Sequence, residues 1–462
     1  MFPGDFIKRL PTQAYLDPVE ILHALEEPSP VSIRINRNKW ALNPLNAEKV
    51  PWCEEAYYLE NRPSYTLDPL FHSGCYYPQE ASSMFLSEVF RQIAGSATKL
   101  RVLDLCAAPG GKSLILSDLL GTENLLISNE TIRMRSLVLA ETLTKWGVVN
   151  TIVTRSDPSA FGRMTGFFDI IVVDAPCSGE GMFRNETARN EWSNGNASLC
   201  SERQKRILMD VWPALREDGI LVYSTCTFNP GENEMNIKWL IDRAESECIN
   251  IDIHNYTGIT EIDYEGIKGY GFHPGKIRGE GFFISAIRKK VNHTRSIEKA
   301  RRRSDIIPGK PDIGIAEKWS LFTGERIARL GDELLGLPCE RQEFSAIYDN
   351  LKVIRPGTKL ASVKGKDFIP SHELALSNNI RQKEFSHLEL NLADALAFLK
   401  RSDFKIAGAS RGWNILTWKG VNMGLINNIG NRFNNYYPVE WRIRMDINDN
   451  PENSVIKWNY DS

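Results

Sequence analysis

Val102, Leu103 and Leu105 run straight into Cys106-Ala107-Ala108-Pro109-Gly110-Gly111-Lys112-Ser113, and few folds accommodate that order. So short an apolar run reads as the end of a buried parallel strand. The small residues 107–111 then form a tight loop, and Leu114, Leu116, Leu119 and Leu120 continue with helical spacing. A strand, a glycine turn and a helix start in succession bring backbone N–H groups close to whatever binds there. An ordinary strand-to-helix connection is the plainer reading of the same residues.

The central part of the chain repeats that rhythm. From about 93 to 290, strands alternate with helices, the pattern of a doubly wound, Rossmann-like α/β sheet. Strands are expected at 100–105, 125–128, 151–154, 169–174 and 220–224, with 281–287 completing the sheet. Helices are expected at 132–146 and at 203–216, the latter closed by Gly219. Residues 1–92 read as a small α/β lead-in domain. Its helix opens at Asp17-Pro18 and stops at Pro28 and Pro30; a strand at 31–36 puts Arg34 and Asn36 on one face; a second helix starts at Gln79.

Beyond the sheet the character changes. Eight of the sixteen residues 288–303 are Lys or Arg, which opens a basic linker over 291–314. Such a run is either a solvated linker or a strap across a nucleic-acid backbone. An intermediate domain is expected at 315–390 and a β-rich domain at 391–462, with aromatic runs at 413–418 and 436–444. Aromatics interleaved with Arg suit base stacking and phosphate pairing, and they suit a small barrel core equally.

Composition narrows the class. Hydrophobic residues at 42% and charged residues at 25% describe a globular protein. No run approaches the ~20 apolar residues of a membrane span, and Met1-Phe2-Pro3-Gly4-Asp5 does not read as a secretory signal. The eight cysteines include no CxxC pair, so no metal site and no disulfide frame is expected. The net charge of −2 makes any nucleic-acid surface a local one.

In an open α/β sheet, ligands bind at the carboxyl ends of the strands. Glu130 closes the second strand, where an acid can accept both hydroxyls of a ribose, and Asp157 follows the third, where a carboxylate can accept an adenine amino proton. The glycine turn lacks phosphate-loop spacing, so a nucleoside-type cofactor such as S-adenosylmethionine fits it better. The fourth strand ends in Asp174-Ala175-Pro176-Cys177-Ser178-Gly179 and the fifth in Ser224-Thr225-Cys226-Thr227. A lone buried Cys is ordinarily a small hydrophobe. Two thiols at neighbouring strand ends beside a methyl donor suggest attack on carbon 6 of a pyrimidine, which makes carbon 5 nucleophilic. A protonated Asp174 could then support ring nitrogen 3.

At these residues the chain resembles the Sun-type family of RNA 5-methylcytosine methyltransferases, and most of all its bacterial RsmF branch. The motifs are Cys106–Lys112, Asp174–Gly179 and Ser224–Thr227, supported by Gly279-Glu280-Gly281-Phe282-Phe283. The resemblance implies that Cys106, Ala107, Ala108, Pro109, Gly110, Gly111, Lys112, Glu130, Asp157 and Asp174 contact S-adenosylmethionine. It implies that Cys226 is the nucleophile and that Cys177 helps expel the methylated product. It also implies a PUA-like RNA-binding domain around 412–438, a cytoplasmic enzyme acting as a monomer on RNA, and small-subunit ribosomal RNA as substrate. Asn427-Asn428 stands where relatives tend to carry Lys. Transfer RNA methylation, DNA cytosine methylation through Cys177 and a non-catalytic ribosome-assembly role are the competing readings.

Overall fold

The computed structural model describes residues 1–290, 306–404, 408–447 and 455–460. Five parallel strands, Arg101–Asp104, Leu125–Asn129, Thr151–Thr154, Phe168–Asp174 and Leu215–Thr225, form the middle of a ten-stranded sheet. Numbered along the chain, they lie in the spatial order fifth, fourth, first, second, third. The strand order therefore reverses between the first and the fourth, which are hydrogen-bonded neighbours. That places the glycine loop and the Asp174 loop side by side at the crevice where such sheets bind ligands.

The sheet continues antiparallel at both edges. Phe282–Lys289 pairs with the fifth strand, and Ile267–Phe272 and Thr260–Tyr264 follow outward. At the other edge Val353–Arg355, from the region expected as an intermediate domain, pairs with the third strand. Alternating apolar side chains bury both faces, with Leu103, Ile127 and Ile171 on one and Val102, Leu126 and Ile170 on the other.

Two helices differ from the sequence reading. The one expected at 203–216 spans Asn194–Val211, with Ser193 accepting from Asn196 N at 3.1 Å as its cap. Trp212 keeps helical backbone, but Pro213 has no N–H and its ring clashes with the carbonyl four residues back, so the helix cannot go on. The chain turns over 212–214, the fifth strand begins at Leu215, and Gly219 lies inside that strand. The helix expected to start at Gln79 begins later, as a turn at Ser82–Phe85 running into Leu86–Ala94. The Glu80 carboxylate accepts from Ser82 N and Ser83 N at 2.8 Å each, so it caps the turn instead of joining it.

The basic run also resolves differently. Its remaining members at 291–305 lie outside the described residues, but Lys289 is buried and donates to the carbonyls of Trp212 and Leu215. Arg288 and Lys290 pair with Glu247. Residues 310–314, expected as linker, start the helix Lys310–Trp319. In the C-terminal part, Ser386–Glu389, Gly412–Trp418, Val421–Asn428 and Phe433–Asn435 make a four-stranded sheet. The run 436–444 is no strand, because Pro438 leads into a short turn at Val439–Trp441. Among the described residues no helix is long and apolar enough to cross a membrane.

The regions meet at one helix end. Arg133–Trp146 stops at Gly147, and its last carbonyls are claimed by other parts of the chain. Lys39 Nζ donates to Lys145 O at 2.6 Å and Asn36 Nδ2 to Trp146 O at 2.9 Å. Just beyond, Arg355 Nη2 donates to Val148 O at 3.2 Å while its Nε pairs with Glu373. Arg355→Met should leave Glu373 and two buried carbonyls unpaired and lower the unfolding free energy by about 3 kcal/mol. Denaturant titration against the wild-type protein measures this.

Candidate active site

The loop after the first strand folds tightly because Gly110 sits at φ +125°, where a Cβ would lie 2.9 Å from the Thr142 methyl. Gly111 opens the helix Gly111–Leu120 under the Gln79 side chain. A cavity of about 390 Å³ lies over this turn, lined by Cys106, Ala107, Ala108, Pro109, Gly111 and Lys112. Asp174 and Cys226 close it from the fourth and fifth strands. Eight residues expected from sequence at one site therefore line one cavity.

Its floor is polar. Lys112 Nζ lies 2.9 Å from Asp174 Oδ2, and Ser224 Oγ donates to Asp174 Oδ1 at 2.7 Å. Burial works against the Lys112 charge, but Asp174 more than offsets it and the Lys112 pKa rises. Asp174 thus accepts on both oxygens beside an ammonium, where the sequence suggests a proton-bearing acid. Deeper in, Ser113 Oγ donates to Asp104 Oδ2 at 2.7 Å, leaving Asp104 Oδ1 buried without a partner. Burial pushes the Asp104 carboxyl up to about 7.

The thiols meet. Cys177 Sγ and Cys226 Sγ are 3.0 Å apart, and Cys226 N donates to Cys177 Sγ at 3.3 Å. Cys226 lines the cavity; Cys177 stands behind it. The bond to Cys226 and then burial hold the Cys177 pKa well above its ordinary value, so Cys177 keeps its proton.

A buried network that residue types alone did not announce holds the pair. Glu232, fully buried, accepts from Ser178 N, Ser178 Oγ and Gln204 Nε2. Tyr223 Oη donates to Glu232 O at 2.6 Å, and Thr225 Oγ1 donates to Asn233 Oδ1 at 2.6 Å. Below the thiols two backbones cross at van der Waals contact. Gly181 N donates to Cys226 O at 2.9 Å, Gly281 N donates to Gly181 O at 3.1 Å, and a Cβ at either glycine would lie within 2.6 Å of the other. The signal for this crossing was present in Gly279–Phe283, but nothing local says what it packs against.

The two outer acids are placed differently. Glu130 is buried at the end of the second strand, accepting from Ile132 N at 2.8 Å and lying 3.4 Å from Arg135 Nη1. Asp157 is exposed and caps the helix Pro158–Gly162, accepting from Ser159 Oγ and N, which hold its carboxyl below the usual range. Neither lines the main cavity, although both stand at the strand ends beside it. Tyr77, Gln79, Met182 and Glu280 do line it, and sequence reasoning gave them no part in the site. No group of three or more His, Cys, Asp or Glu among the described residues could hold a metal ion.

A family model described as 16S rRNA methyltransferase RsmB/F matches residues 95–288. The N-terminal domain of 16S rRNA methyltransferase RsmF matches 2–81, and the methyltransferase RsmF PUA domain matches 385–443. The chain belongs to the RsmB/F family of methyltransferases. Full-length similarity agrees. A protein of Klebsiella pneumoniae (strain 342) named ribosomal RNA small subunit methyltransferase F is 29% identical, over 95% of this chain and 96% of its own. One of the same name from Shewanella loihica is 27% identical, over 95% and 94%. The crystal structure of a methyltransferase homolog protein from Pyrococcus horikoshii is 28% identical, with a TM-score of 0.53, over 62% of this chain and 95% of that one. NSun6 from the same organism, 20% identical at a TM-score of 0.51 over 63% and 99%, shares the fold.

As an RsmB/F member the chain is an S-adenosylmethionine-dependent enzyme. The residues fit that cofactor: the cavity volume lies in the range of small-molecule sites, the glycine turn admits close approach of a ligand, and the buried Asp104 Oδ1 awaits a donor. Glu130→Ala and Asp157→Ala should each weaken S-adenosylmethionine binding about ten- to hundredfold. Asp157→Ala should also cost about 1 kcal/mol of stability through its lost cap. Unchanged calorimetric affinity in both variants would remove these acids from the site.

Proposed function

We propose that the protein methylates carbon 5 of a cytosine in small-subunit (16S) ribosomal RNA, with Cys226 as the nucleophile. The names of its relatives support the substrate. One observation carries the chemistry: Cys226 faces the cofactor cavity with Cys177 Sγ 3.0 Å behind it. In this reading the enzyme works in the cytoplasm and as a monomer.

S-adenosylmethionine, when bound, supplies an electrophilic methyl group. Carbon 5 of cytosine cannot attack it unaided, and a Cys226 thiolate adding to carbon 6 gives carbon 5 enamine character. Cys177, which keeps its proton, can donate a hydrogen bond to Cys226 Sγ and favour the thiolate. The Lys112 ammonium, fixed by Asp174, can meet the negative charge that develops at ring nitrogen 3. The target base leaves its stack to reach this floor. After methyl transfer the carbon 5 proton passes to solvent, its electron pair restores the carbon 5–carbon 6 double bond, and the carbon 6–sulfur pair returns to Cys226. Cys177 helps there again by hydrogen-bonding the departing thiolate.

The two thiols are separable by experiment. Cys226→Ala should lower methyl transfer at least about a thousandfold and form no protein–RNA adduct. Cys177→Ala should attack and transfer but release poorly, accumulating an adduct that survives denaturing gel electrophoresis. The double variant should lose that adduct. An adduct in Cys226→Ala and none in Cys177→Ala would exchange the roles. Bisulfite sequencing of ribosomal and transfer RNA from a deletion strain tests the substrate; loss of a site in small-subunit RNA is expected, and loss only in transfer RNA would overturn that choice.

A further inference from the structure

Two more cavities lie beyond the active one. The first, about 210 Å³, shares Tyr77 with the active cavity and is floored by Thr142, Lys145 and Trp146 of the Arg133–Trp146 helix. The second, about 430 Å³, lies between the hairpin of Thr358–Lys364 and Asp367–Pro370 and the C-terminal turn that carries Tyr436 and Trp441. Lys145 joins them: its Nζ lies 5.6 Å from the Phe71 ring centroid in the first and 5.3 Å from the Trp441 ring in the second. The helix residues that line the two cavities run from Val138 to Trp146, about 13 Å of helix.

We propose that a single-stranded segment of the RNA substrate follows this path from the active cavity to the second groove, where an unpaired base stacks on Trp441 and a phosphate meets Lys364. This rests on the RNA reading above. The groove's chemistry suits that occupant. Aromatic faces accept bases without regard to sequence, and lysines at the rim meet phosphates. Lys364 stands exposed there. The carboxylates along the path are neutralised, Glu141 by Lys145 at 2.6 Å and Glu373 by Arg355.

A built polar group supports a ligand in this groove. His372 lines it, is 8% exposed, and has no partner for either ring nitrogen. Burial, then Lys145 and Lys39, lower its pKa to about 3, so it is neutral with one donor and one acceptor. A buried imidazole without partners is costly. The edge of an unstacked base can partner one of the two nitrogens, which diverge across the ring. Neither cavity has room for a duplex.

The test uses the full chain, radiolabelled S-adenosylmethionine with small-subunit ribosomal RNA, and a fluorescent single-stranded RNA of about 12 nucleotides. Trp441→Ala should raise KM for ribosomal RNA and Kd for the oligonucleotide at least about fivefold, with kcat unchanged. Trp441→Phe should restore most of the affinity. Lys364→Gln should weaken binding and reduce the salt slope by about one, and because Lys364 is exposed this variant decides the matter if Trp441→Ala fails to fold. KM and Kd indistinguishable from wild type in the variants that fold, or a fall in kcat at constant KM, overturns the path while leaving the active-site reading intact. A wild-type protein that neither binds nor methylates RNA overturns both.

Discussion

The end of the Arg133–Trp146 helix is where this molecule is held together. A helix leaves its last carbonyls without internal partners and gathers partial negative charge there. Here they are buried, so each needs a donor from elsewhere, and the chain sends Lys39 and Asn36 from the lead-in domain; Asn378 and Arg355 serve the carbonyls just past it. The Arg355 guanidinium is always charged, and charged donors make the stronger hydrogen bonds, about 1.5–3 kcal/mol each; burial lowers the Lys39 pKa to about 7. The same helix starts beside Glu130, and Thr142, one turn before its end, packs against Gly110. One rigid element thus spans from the cofactor loop to the junction of three regions, and the docking of each region bears on the loop.

Much of the site was legible because its chemistry resides in residue type at strand ends. Cys106–Lys112, Asp174, Cys177 and Cys226 could be assigned to one crevice once five strands were recognised, since a parallel sheet delivers every strand's carboxyl end to the same edge. The positions that escaped depend on long-range partners. Gln79 and Glu80 look helical, but Glu280, two hundred residues away, donates its N–H to Glu80 and holds it at the cavity. Val353–Arg355 is too short and too distant in sequence to be placed in the central sheet by pattern alone. Glu232 is an ordinary surface residue by type; only the buried donors of Ser178 and Gln204 make it a support of the thiols.

In the basic run, the cations that lie among the described residues have a local explanation. Three of its eight cations are occupied by the sheet edge: Lys289 closes two carbonyls, and Arg288 and Lys290 share Glu247. A count of lysines and arginines cannot tell a nucleic-acid strap from cations that finish a fold. The aromatics of the C-terminal domain divide in the same way, since Trp418 is buried in the core while Trp441 borders open space.

The crossing of Gly181 and Gly281 has an evolutionary edge. The carbonyl of the nucleophile hangs on one backbone, that backbone hangs on the other, and no atom fits between them. Neither position can explore even a methyl group without displacing Cys226. Change in descendants of this chain is therefore freer at the upper walls, at residues such as Tyr77 and Met182, while the floor stays locked. A family built on this floor should diversify in its targets long before it diversifies in its chemistry.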